Sequence, residues 1–152
     1  MKKTIKLAAL LLIAVPLFIA CESDDTDLSS PPEITEFTAG THDQDNDTIV
    51  LTPSAEIIVD FVAETQSDGL LHSYYLGIDN SHQVSNPDDA FVILDELFDK
   101  NPVFQGTRNA SIHKHVEIPE GAEPGDYQVI LKVYDEYENE ATATTNVILI
   151  EE

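Results

Sequence analysis

Residues 126–134 read DYQVILKVY, with Tyr127, Val129, Leu131 and Val133 on one parity and Gln128 and Lys132 on the other. Successive side chains of an extended chain point to opposite faces, so a run of this kind buries one face only as a β-strand. The same constraint acts at 55–63 (AEIIVDFVA), where Ile57, Val59, Phe61 and Ala63 share one parity and Glu56 and Asp60 the other. Shorter or less regular strands are predicted at 34–38, after the double proline, and at 70–78 (LLHSYYLGI). A turn at 135–139 leads into the β-branched run ATATTNVILI at 141–150, so the last two strands read as a hairpin that closes a sheet. About six short strands with turn signals between them predict an all-β, immunoglobulin-like β-sandwich. The chain has one cysteine and no tryptophan, so the Cys-Trp-Cys core of antibody domains is excluded.

One segment breaks the two-residue period. Asn86 suits a helix N-cap, Pro87 the first helical position, and Asp88 and Asp89 the positive end of a helix dipole. Phe91, Leu94, Leu97 and Phe98 then fall at helical spacing, with Lys100 near the end. A short helical insertion is therefore expected over residues 87–99, its apolar stripe a packing face.

The N-terminus has a different logic. Lys2, Lys3 and Lys6 precede an apolar run from Leu7 to Ala20, which falls short of the roughly 20 residues a membrane span needs. That layout predicts a secretory signal over residues 1–20. Phe18-Ile19-Ala20-Cys21 resembles a lipobox, with a small residue directly before the cysteine. Cys21 is the only cysteine and stands next to Glu22, Ser23, Asp24 and Asp25, a setting no core accepts. Lipid attachment at Cys21 explains both its solitude and its position. Residues 21–32 then form a tether ending in Pro31 and Pro32, and residues 33–152 the folded domain. The acidic Ser-Asp-Asp tract is similar to the export signal of Bacteroidota-type lipoproteins, which implies display on the outer face of the outer membrane. Any solvated acidic linker has the same composition.

Removing residues 1–20 takes away three of the seven basic residues and none of the 29 acidic ones, leaving a formal charge of −25 over 132 residues. Such a field repels nucleic acid, which is excluded as a partner. No G-x-S-x-G elbow, H-E-x-x-H pair or Gly-rich phosphate cradle occurs, and no reactive cysteine is left once Cys21 is lipidated. Catalysis is not expected.

Two patterns could carry metal chemistry. At 111–118 His113, His115 and Glu117 alternate with Ile112, Val116 and Ile118. As a strand, this segment puts two imidazoles and a carboxylate on one face, spaced by about 7 Å. Two histidines at i and i+2 chelate one Zn²⁺ or Cu²⁺ ion if a third ligand comes from elsewhere. The plainer alternative is a polar outer face with no ligand. Asp43, Asp45 and Asp47 alternate like the start of a calcium loop, but Thr48 and Ser54 occupy the positions where such a loop needs Gly and Glu. A solvated acidic loop fits that stretch better.

Residues 113–127 (HKHVEIPEGAEPGDY), the following VILKVYDEYEN and the closing strand resemble the domain-of-unknown-function 4625 family of Bacteroidota-type lipoproteins. The positions that carry the resemblance are His113, His115, Ile118, Pro119, Gly125, Asp126, Tyr127, Asp135 and Asn139. It extends in layout over residues 31–152 and is specific over 111–150. The resemblance implies an immunoglobulin-like fold and leaves the activity open. Members often carry a histidine-rich stretch, matched here by residues 78–82 with one histidine, His82. Read from the residues alone, Asp79, His82 and His72 are the candidates to complete a metal site with His113 and His115. Tyr127 is placed to form a tyrosine corner. The expected function is that of a non-catalytic binding or accessory module on the cell surface, anchored in the membrane by its lipid and working beside an outer-membrane uptake complex. The alternative is a Zn²⁺- or Cu²⁺-binding lipoprotein; glycan binding and a structural envelope role rank below both.

Overall fold

Every one of the alternating runs forms a strand in the computed structural model of the chain, which describes residues 30–42, 47–66 and 68–151. Among these residues eight strands follow one another: β1 (Glu33–Gly40), β2 (Thr48–Val50), β3 (Glu56–Glu64), β4 (Leu71–Asp79), β5 (Val92–Phe98), β6 (Asn109–Glu117), β7 (Gly125–Asp135) and β8 (Glu140–Ile150). They build two sheets, with strand orders β1-β3-β6 and β2-β8-β7-β4-β5. Pairing is antiparallel except between β2 and β8, which run parallel. β1, β3 and β6 correspond to the A, B and E strands of an immunoglobulin domain, and β8, β7, β4 and β5 to G, F, C and C′. The chain is an all-β, two-sheet sandwich. The leader, Cys21 and the acidic tract lie outside the described residues, as do Asp43 and Asp45 of the calcium-like spacing.

The core forms where the apolar parities of the two sheets meet. Ile57, Val59, Phe61 and Ala63 of β3 face Tyr127, Val129, Leu131 and Val133 of β7, and all are buried. With no disulfide to pin the layers, an aromatic cluster fills the centre. Tyr74 of β4 meets Phe61 edge-on at 5.1 Å between ring centroids, Phe104 at 5.0 Å, and Phe98 in a stack at 4.7 Å. Such contacts add about 0.5–1.5 kcal/mol each beyond the area they bury. The tyrosine corner forms as expected, with the Tyr127 hydroxyl donating to the Glu123 carbonyl at 3.1 Å.

The helix expected over 87–99 does not form. Asn86 and Pro87 do start a helical turn, and the Asp88 N–H donates to Asn86 Oδ1 at 3.3 Å. It is a single 3-10 turn, Pro87–Asp89, and β5 begins at Val92. β5 pairs along the edge of β4, with Leu94 opposite Ile78 and Leu97 opposite Tyr75. A short helix must overcome its nucleation cost, whereas an extended β5 satisfies the backbone groups β4 leaves open on that side. Val92 and Ile93, both β-branched, favour the same outcome. Leu94 and Phe98, four residues apart, share a face in a strand as they do in a helix, which is why the spacing misled.

Candidate functional site

On β6 the odd positions point out of the sandwich: His113, His115 and Glu117 are exposed, while Ile112 and Val116 are buried. The neighbouring strand is β3, whose outward parity carries Glu56, Ile58 and Asp60. Register sets Asp60 opposite His113 and Ile58 opposite His115. The two imidazoles are not spread along the strand as their backbone spacing suggests. They lean together, with Nε2 of His113 and Nε2 of His115 only 3.1 Å apart. Asp60 Oδ1 lies 2.6 Å from His113 Nδ1, and Glu56 Oε2 lies 2.8 Å from His115 Nδ1. Each carboxylate thus grips the outer nitrogen of one ring and turns the inner nitrogens towards each other.

The hydrogen-bond inventory of this row is restrictive. A carboxylate at neutral pH only accepts, so both Nδ1 atoms donate. A neutral imidazole has a single N–H, so both Nε2 atoms then present lone pairs to the same point. Two facing lone pairs at 3.1 Å require something positive between them. Carboxylates that hold Nδ1–H and leave Nε2 bare are also the usual outer shell of metal-bound histidines, where they fix the ring and raise its basicity.

A third imidazole lies against this pair. His42, two residues beyond the end of β1, stacks on His113 with centroids 5.8 Å apart and tilts against His115 at 5.2 Å. Beneath the cluster Ile58 is only 5% exposed although it belongs to the outward parity of β3. The site therefore has an apolar floor, three imidazoles and two orienting carboxylates. Among the described residues no three His, Cys or acidic side chains already converge on one point as a finished metal cage. His113 and His115 supply a converged pair, and His42 has to rotate to join it.

The structure brings His113 and His115 together on one face of β6 and places the other expected ligands, Asp79, His82 and His72, away from them. Asp79 ends β4 in the other sheet, where its Oδ1 accepts the Ser81 N–H at 2.7 Å. His82 follows in the exposed turn, and His72 also belongs to β4. The sandwich, with sheets about 10 Å apart, stands between these residues and the outer face of β6. Of the calcium-like spacing only Asp47 is described; it is exposed, and its carbonyl accepts the Ile148 N–H at 2.8 Å. His42, Glu56 and Asp60 were missed as site residues. The signal for Glu56 and Asp60 was present, because they occupy the polar parity of the clearest strand. Linking them to His113 and His115 requires the knowledge that β3 and β6 are neighbours.

Fold and site together define a two-layer immunoglobulin-like domain with a histidine–carboxylate cluster on its smaller sheet. The chain belongs to the family described as Domain of unknown function (DUF4625), whose model matches residues 19–150. No curated protein matches the sequence. Among solved structures, the chain is similar to OgpA from Akkermansia muciniphila at 11% identity and TM-score 0.48, covering 78% of this chain and 27% of that one. It is also similar to a Niemann-Pick type C2 protein from Japanese carpenter ant, at 9% identity and TM-score 0.47, over 82% of this chain and 95% of that one. Murine CRIg is similar at 6% identity and TM-score 0.39, over 81% and 99% of the two chains. The chain thus spans about a quarter of the length of OgpA.

Proposed function

We propose that this protein is a non-catalytic binding module that captures a divalent transition-metal ion, Zn²⁺ or Cu²⁺, between His113 and His115, with His42 as a third imidazole. One observation carries the reading: both Nε2 atoms face each other at 3.1 Å while both Nδ1 atoms are committed to carboxylates. Imidazole nitrogens bound at about 2.0–2.1 Å stand about 2.9 Å apart at a right angle and about 3.3 Å apart at the tetrahedral angle. The 3.1 Å separation of the two Nε2 atoms falls between these values. Imidazole donors suit zinc and copper, whereas magnesium and calcium prefer oxygen.

A metal that binds only the native state raises its melting temperature in proportion to the logarithm of the free ion concentration. Zinc or copper should therefore shift thermal unfolding of the protein, and the double variant His113→Ala/His115→Ala should lose the shift. An equal shift in the variant means that the acidic surface takes up the metal, and the reading fails.

The module would work outside the cytoplasm, held to the outer membrane by a lipid on Cys21 and displayed at the cell surface beside an uptake complex. The lipobox-like Phe18-Ile19-Ala20-Cys21 and the following acidic tract support that placement. Mass spectrometry of the mature N-terminus should find an acylated Cys21; an uncut leader contradicts it.

A further inference from the structure

The opposite layer of the sandwich carries a second concave surface that the histidine cluster does not touch. A groove of about 560 Å³ lies on the outer face of the larger sheet, lined among others by Ser73, Tyr75, Leu97, Tyr134 and Glu138. Its shape follows from local sequence. A bulge between Leu71 and Ser73 shifts the register of β4 on β7 and turns His72 to the rim. Gly77 leaves room for the Tyr75 ring to lie along the strand: a Cβ there would stand 2.5 Å from the Tyr75 hydroxyl oxygen. Tyr134 lies opposite Ser73, and Leu97 opposite Tyr75. Two phenol rings and a leucine thus wall a shallow trough.

Its polar groups are nearly all acceptors. The Tyr75 hydroxyl is hydrogen-bonded to Asp95 and that of Tyr134 to Glu140, so both phenols are spent as donors. Glu138 lines the trough from a backbone held at φ 64°. Asp135, also in the lining, already accepts the N–H groups of Tyr137 and Asn139. Together with Asp79, these make five carboxylates around the groove, against one ammonium, Lys132, which is paired with Glu140 at 3.3 Å. Tyr75 responds to its burial and to these charges together. Burial first, then the hydrogen bond and charge of Asp95 and the charge of Asp79, push its pKa up to about 12. Ser73 adds a hydroxyl to the floor of the trough. It lines the groove and is only 6% exposed, so its hydroxyl is, among the described residues, the one small polar group on the floor between the two phenols.

We infer that this groove is a second binding site, specific for an organic cation: an ammonium or guanidinium group on an apolar stem. The aromatic faces attract such a charge and cover its stem. The carboxylates complement it, and a concave wall of low dielectric focuses their field. A neutral ligand gains nothing from that field, and an anion is expelled by it.

The test uses the full-length protein and three probes: choline, a short peptide with a single lysine, and 3,3-dimethyl-1-butanol, the uncharged isostere of choline. Nuclear magnetic resonance titration should show saturable shifts of Tyr75, Tyr134 and His72 with the charged probes, and affinity weaker by on the order of tenfold for the neutral one. Tyr134→Ala should abolish binding, while Tyr134→Phe, which keeps the ring face and guards against misfolding, should retain it. His113→Ala should leave it unchanged, which separates this site from the metal reading. Tighter choline assigns a free small amine as the natural ligand, and a tighter peptide a basic side chain; both support the inference. Equal binding of the isostere, loss in Tyr134→Phe as well as Tyr134→Ala, or no saturable shift with any charged probe overturns it.

Discussion

In the proposed metal site Asp60 would act without being a ligand. Its Oδ1 holds His113 Nδ1 at 2.6 Å, fixing both the ring orientation and the position of the bare nitrogen. Losing such an outer-shell partner typically costs 10–100-fold in metal affinity. Asp60→Ala should therefore weaken zinc binding by about that factor while leaving the fold intact, since Asp60 lies on the outer face of β3. Competition with a chromogenic chelator reads the change directly; an unaltered constant would mean that the carboxylate is incidental. Both His–carboxylate pairs are partly open to water, His113 by 50% of its side chain and Asp60 by 34%. Their value is in orientation, and solvent screening leaves them little weight as ion pairs in stability.

At the scale of elements, the strands with strict alternation were legible because burial of one face leaves a period-two run few alternatives. β3 and β7 match the expected runs to within one residue at each end. β6 was legible as a face, since Ile112 and Val116 point inwards and His113 and His115 outwards. β5 was misread because its apolar spacing fits two periods and its capping residues are genuine. What decided it was the open edge of β4, a long-range fact that no local window contains. β2, three residues long, gave no periodic signal and is ordered by parallel pairing with β8. The site was half legible for the same reason. Two of its histidines sit on one strand, but Glu56 and Asp60 reach them across a ladder, and His42 from beyond the end of another strand. Lys114 shows how the inward parity of an edge strand is closed. Its ammonium lies 4.4 Å from the Phe98 ring centroid, joining β6 of one sheet to β5 of the other.

At the scale of the whole molecule, a formal charge of −22 on 152 residues sets the background for any cation it binds. Such a surface gathers divalent ions diffusely, and salt screens that attraction within about 10 Å at 0.1 M. A chelate of imidazole nitrogens is set by coordination bonds and is far less sensitive to salt. The two candidate sites lie on opposite outer faces of the sandwich, so each is testable with the other left intact.

The distinction between chelation and diffuse attraction is sharpest in the electron paramagnetic resonance of the protein loaded with one equivalent of Cu²⁺ at about 0.5 M salt, where the Debye length falls to about 4 Å. A single copper species is expected, with nitrogen couplings from at least two imidazoles that collapse when His113 and His115 are replaced by alanine. A spectrum of oxygen-only coordination, or nitrogen couplings that survive that double replacement, would contradict it.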